Sequence, residues 1–272
     1  MKTLLHLASL LLSALALPAH ETWLQATTTT AAPGTEIHLQ LTSSGDFKGL
    51  GSGPRPERVD KSHLRIAGET LPLAIGPHTE TFLGFTARPA TTGLALFAVE
   101  LKPRDLELKP EQIEEYFAEI QAGPEVRAAW EAVPAPRRWR ERYTKSATTF
   151  VRVGQPEPSD ATWSQPAGLV LEIVPQRDPT ALRTGDLLQV RLLQHGRPLA
   201  DVPVGFMAQG ETRRHTVTTD AEGLAAAPLD HPGVWLIHTT HLMRAIQADL
   251  EWESRFSTLI VEVAPAPPLP GN

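Results

Sequence analysis

Apolar and polar positions alternate along most of this chain, and a period of two is the signature of a half-buried strand. In Glu36–Leu41, Ile37, Leu39 and Leu41 fall on one side, with Glu36, His38 and Gln40 on the other. Pro33-Gly34 in front of it is a turn, and 42–60 is a loop rich in Ser, Gly and Pro. Strand-like runs follow at His63–Ile66, Thr81–Phe85 and Leu94–Leu101; the last is apolar on both faces, which predicts a central strand. The period changes over 110–133. Ile113, Tyr116, Phe117 and Ile120 stand at helical spacing behind Pro110, with Glu111, Glu114 and Glu115 in the first turns. Gly123-Pro124 ends that helix, and a second short one is expected from Glu125 to Val133. Arg137–Tyr143 reads as an Arg-rich surface segment paired with nearby acids, and Thr148–Val153 as a strand returning to the sheet.

Gln155–Pro166 carries three prolines in 12 residues and marks the best domain boundary. Beyond it strands recur at Leu169–Val174, Leu188–Leu192, Val202–Ala208, Arg214–Thr218, Leu224–Pro228, Val234–Leu242 and Ser257–Val263, separated by Gly, Pro and Asp turns. Even spacing of short strands is the mark of a β sandwich. The expectation is a mainly all-β protein of two immunoglobulin-like or transthyretin-like sandwiches, at 20–155 and 165–264. The first carries the helical insertion 110–133, and a proline-rich disordered tail occupies 265–272.

Composition narrows the partners. Hydrophobic residues at 41% and charged residues at 21% suit a soluble globular chain. Lys plus Arg number 25 against 31 Asp plus Glu, a net charge of −6, so no basic surplus is present to hold nucleic acid. Cysteine is absent, which removes disulfides, thiolate metal sites, Cys nucleophiles and a lipoprotein anchor. Lys2, the apolar run Leu4–Leu17 and Pro18-Ala19 read as a secretory signal peptide over 1–19. That run is shorter than the roughly 20 residues of a spanning helix, and no later segment approaches that length. A periplasmic or secreted protein with no membrane span after cleavage is expected. Cleavage after Ala19 makes His20 the first residue; cleavage after Ala16 buries it behind three others.

Several segments resemble one family of exported proteins. They are His20-Glu21-Thr22-Trp23-Leu24 behind the leader, Ser44-Gly45-Asp46-Phe47, Arg140-Glu141-Arg142-Tyr143-Thr144-Lys145, Gly168–Pro175, Gly196-Arg197-Pro198-Leu199, Thr219–Gly223, and Gly233–Ile237 with His241 and Trp252-Glu253-Ser254. In that order they are similar to a domain-of-unknown-function family often labelled the periplasmic component of ABC-type cobalt/nickel transport. The resemblance covers nearly all of the chain after the leader. It implies handling of a divalent metal, with a membrane metal transporter as partner.

Without Cys, a transition-metal site must be built from His and carboxylates, which suit nickel, cobalt, copper or zinc. A freed His20 would offer both its amino nitrogen and its imidazole to one ion. His238 and His241 form the close His pair of the chain. Three residues apart on a strand they point to opposite faces, so a regular strand offers one of them unless a bulge intervenes. His241 lies in the stretch that resembles the family and is the preferred partner of His20, with His238 and Glu21 as further candidate ligands. No G-x-S-x-G, S-x-x-K, H-E-x-x-H, G-x-G-x-x-G or P-loop pattern occurs, so no catalytic residue is assigned. The leading expectation is a non-enzymatic periplasmic protein that binds nickel, cobalt or copper for uptake or delivery. Two alternatives are a copper-dependent oxidase with an N-terminal histidine brace, and a metal-free adhesive or scaffolding sandwich.

Overall fold

Alternating side chains with Gly and Pro turns give strands wherever the pattern is clean, and the computed structural model shows them over residues 20–247 and 249–267. The leader expected over 1–19 and the end of the tail, 268–272, lie outside the described residues. The first half holds β1 (Glu21–Ala26), β2 (Thr30–Ala31), β3 (Ile37–Ser44), β4 (Val59–Ile66), β5 (Glu69–Pro72), β6 (Ala74–His78), β7 (Leu83–Ala87) and β8 (Gly93–Leu108). The helices α1 (Ile113–Glu119) and α2 (Pro124–Glu131) follow, then β9 (Trp139–Val153). The second half holds β10 (Leu171–Pro175), β11 (Leu187–Gln194), β12 (Arg197–Pro198), β13 (Pro203–Ala208), β14 (His215–Thr218), β15 (Leu224–Pro228), β16 (Gly233–Arg244) and β17 (Trp252–Val263).

Among the described residues these strands make three sheets. One is β1-β3-β7-β6, and another joins β10, β11, β12 and β15. The third runs β14-β13-β16-β17-β9-β8-β4-β5, with β2 also on β9, and belongs to both halves. Its seam is the parallel pairing of β17 with β9, from Trp252 opposite Glu141 to Ile260 opposite Thr149. The central part of the long sheet is buried on both sides. Ala95, Phe97 and Val99 of β8 pack with Leu24, Leu39, Leu41 and Phe85 of the first sheet. Leu96 and Ala98 face the other way, into a core with Leu171, Val190, Leu192, Phe206 and Ile237. The expected all-β sandwich is therefore realised as two sandwiches around one shared middle layer, and the both-face burial expected of Leu94–Leu101 is a property of that layer.

The main departure is at Arg137–Tyr143. Trp139, Glu141, Tyr143 and Lys145 alternate inward as strand β9, while Arg140 and Arg142 point out and pair with Glu251 and Asp105. The segment is a strand with charged residues on both faces, and its period of two is masked by its arginines. Its inner face and that of β17 carry the helical insertion. Trp139 and Trp252 stack at 4.6 Å, and Ile113, Tyr116, Phe117 and Trp130 close over them.

Candidate functional site

Two registers bring the candidate ligands together. On β1 the side chains of Glu21 and Trp23 share a face, and on β16 those of Leu236 and His238 do. Trp23 packs on Leu236, with Phe47 and Ile260, so Glu21 comes to lie beside His238. Lys145 Nζ donates to the carbonyl of His20, and Thr258 Oγ1 donates to that of Thr22 at 2.7 Å, which ties the start of β1 across β9 and β17.

His238 is 5% exposed, and its Nδ1 lies 2.8 Å from Glu21 Oε1. A carboxylate only accepts, so Nδ1–H donates and the lone pair of the neutral ring falls on Nε2. That Nε2 and the other oxygen of Glu21, Oε2, are both buried with no partner. Unpaired buried polar atoms are costly, by about 1–3 kcal/mol each. Glu119 at the end of α1 brings a third such atom, its Oε2. Glu21, Glu119, His238 and Gly205 line one small void of about 10 Å³, on the order of the space one water occupies. A larger cavity of about 220 Å³ opens beside it, lined by His20, Glu21, Asp46, Glu119 and His238.

The charges interact. Burial raises the pKa of Glu119 above the usual carboxylate value, the nearby Glu115 and Glu21 raise it further, and Lys145 opposes them. Burial lowers the pKa of Lys145 to about 8; Glu21 pulls it back up and Arg58 pushes it down. His20 is lowered by partial burial and then by Lys145, against the pull of Asp46, Glu115 and Glu21. His20 thus favours the neutral form that can ligate.

Of the residues singled out in sequence, the structure gathers His20, Glu21 and His238. It does not gather His241. β16 pairs with β17 in unbroken register from Gly233 to Arg244, so no bulge turns His241 to the face of His238. His241 looks toward the sheet of β10, β11, β12 and β15, where its Nδ1 bonds Gln194 Oε1 at 2.5 Å; burial and then Arg255 lower its pKa. The preference for His241 is corrected accordingly: strand parity assigns that face to His238. Sequence reasoning missed Glu119, Lys145 and Gly205. Gly205 pairs across the strands with His238, and a Cβ there would stand 2.2 Å from His238 Nε2. A glycine inside a strand marks close approach of a neighbour, which was the available signal.

The residues fit a metal in part. His238 and Glu21, which line a cavity with His20, each keep one buried, partnerless atom (Nε2 and Oε2), and the Nδ1 of His238 is fixed by a carboxylate, as in many metal-ligating histidines. Yet among the described residues no three His, Asp or Glu side chains already surround one point at ligating distance. A bound ion would need a further donor.

The sequence profile of a family described as a domain of unknown function (DUF4198) matches residues 17–242. A search among curated proteins finds no match. Among solved structures, the mouse nectin-like molecule 4 ectodomain (Ig1–Ig3) is similar at 11% identity and TM-score 0.22, over 93% of this chain and 67% of that one. A DUF4785 family protein of Legionella pneumophila is similar at 8% identity and TM-score 0.25, over 79% of this chain and 50% of that one. The Yersinia pseudotuberculosis adhesin InvE is similar at 12% identity and TM-score 0.23, over 89% of this chain and 58% of that one. The chain thus spans between half and about two-thirds of these structures, and at such scores they fix neither topology nor function.

Proposed function

The chain belongs to the DUF4198 family, and from that premise we propose that it is a non-enzymatic, exported protein that binds a divalent transition metal, nickel, cobalt or copper, for uptake or delivery. The observation that carries the reading is the Glu21–His238 pair, whose two free ends are buried and unpartnered and whose residues line one cavity with His20. In this reading His238 Nε2 and the His20 imidazole are the nitrogen ligands. Glu21 orients His238 and offers its second oxygen, and leader cleavage after Ala19 frees the His20 amino group as the further donor. Nitrogen-rich sites of this kind favour copper in intrinsic affinity, with supply in the cell deciding occupancy. A membrane metal transporter is the partner that such a carrier would serve.

The test is calorimetric titration of Ni²⁺, Co²⁺ and Cu²⁺ into purified protein whose first residue is fixed by intact mass. His238→Ala and His20→Ala are each expected to weaken binding at least about tenfold. His241→Ala, on the opposite face of β16, leaves affinity unchanged. Equal affinity in wild type and His238→Ala overturns the reading and leaves the metal-free sandwich.

A further inference from the structure

His20 also lines a second cavity, about 770 Å³, walled by the β8–β9 arm and the loop after β3. That volume is in the range of small-molecule pockets. Its charged lining is predominantly cationic: Arg55, Arg58, Arg104 and Lys145 against Asp105 and Glu107. Asp105 is already neutralised, since Arg142 grips both its oxygens at 2.6 and 2.9 Å. Arg55 and Arg104 are exposed, and among the described residues neither has a carboxylate partner within 4.0 Å.

The deep end holds two like charges that share one aromatic ring, Tyr143. Lys145 is 7% exposed, and its Nζ lies 5.6 Å from the Tyr143 ring centroid; the Arg58 guanidinium lies 5.7 Å from the same ring. Arg58 spends one nitrogen on the carbonyl of Lys102, while its Nε is buried with no partner. Glu21, Glu119 and Glu141 lie within the field of Lys145, but none is near enough to form an ion pair with it. A shift of register in β8 between Leu101 and Arg104 brings both of these residues to the groove, as bulges commonly re-aim a side chain. Two cations on one ring, one buried and one with an unfilled donor, with two more at the rim, leave the groove with an excess of positive charge.

We propose that this groove binds a small polyanion, a compound carrying two or more carboxylate or phosphate groups, with Lys145 and Arg58 at its deep end and Arg55 and Arg104 at the rim. Guanidinium forks match the flat oxygen pairs of both groups. Because His20 lines both cavities, such an anion would sit next to the proposed metal site, but its binding does not depend on the metal reading.

The experiment titrates metal-free protein, stripped with chelator and dialysed, with citrate, with pyrophosphate and with acetate, at ionic strength matched by NaCl. Citrate or pyrophosphate is expected to bind and acetate to bind at least about tenfold more weakly, since it can meet only one cation at a time. Whichever of the two binds better identifies the oxyanion as carboxylate or phosphate. The rim variant Arg55→Gln/Arg104→Gln changes exposed residues and folds, and it is expected to lose at least about tenfold in affinity. His238→Ala retains it, which separates this test from that of the metal site. Heat signals no larger than those of the NaCl control, or equal affinity in the rim variant, overturn the proposal.

Discussion

At the residue scale the site depends on an absence. His238 lies over Gly205 so closely that a methyl group there would meet its Nε2 at 2.2 Å and its Cδ2 at 2.8 Å. Gly205→Ala must therefore displace the imidazole from the position in which it meets Glu21. Overpacking of this kind costs about 1–3 kcal/mol. The cost belongs to the pair, so it should largely vanish in the double variant Gly205→Ala/His238→Ala. Urea unfolding of the four proteins is expected to give a coupling of about 1 kcal/mol or more; additive changes would refute the contact. The sequence made part of this visible. His20, Glu21 and His238 were legible as candidate residues that the structure brings to one cavity, and strand parity stated that His238 and His241 could not share a face. Which of the two faces β1 was not legible, because it depends on how β1 lies over β16, and the pairing of Trp23 with Leu236 that sets this joins residues far apart in the chain.

At the scale of elements, one buried carboxylate adds a polar tie to the apolar packing of the helical insertion. Glu141 is fully buried on β9 and accepts from Tyr116 Oη at 2.6 and 2.7 Å, from Trp139 Nε1 at 2.7 Å and from Ser254 Oγ. Tyr116 sits in α1, whose last residue is Glu119, so this bond helps to set where Glu119 meets Glu21 and His238. Tyr116→Phe is expected to cost about 1.5–3 kcal/mol, the worth of a hydrogen bond to a charged group. Glu141→Ala strands three donors and is expected to cost at least about 3 kcal/mol. Both are read as shifts in the urea midpoint at unchanged slope. A Tyr116→Phe variant as stable as wild type would show that apolar packing alone holds α1. The helices themselves were legible from Pro110, the acids behind it and the spacing of Ile113, Tyr116, Phe117 and Ile120. Their anchor was not, since Glu141 in a run of arginines looks like a surface acid.

For the whole molecule, local pattern and long-range pairing carry different information. Alternation and turn residues sufficed for most strands and for the all-β class. Nothing local in the chain announced that β17 returns to pair with β9, more than a hundred residues earlier, because parallel pairing leaves no turn between its partners. That seam has an energetic consequence. Leu96, Ala98 and Phe150 from the first half complete the apolar core of the second, alongside Leu259 and Val261 of β17. Separating the halves would expose this surface together with the unpaired edges of β9 and β17, so neither half is expected to stay folded once the other opens. Heating should then give one transition whose calorimetric and van't Hoff enthalpies agree. The isolated segment 165–264 should lack cooperative unfolding, since it keeps β17 but loses both its β9 partner and the side chains from β8. Two resolved peaks in the calorimetric scan, or a cooperative melt of 165–264 alone, would instead show that the shared sheet joins two independently stable sandwiches.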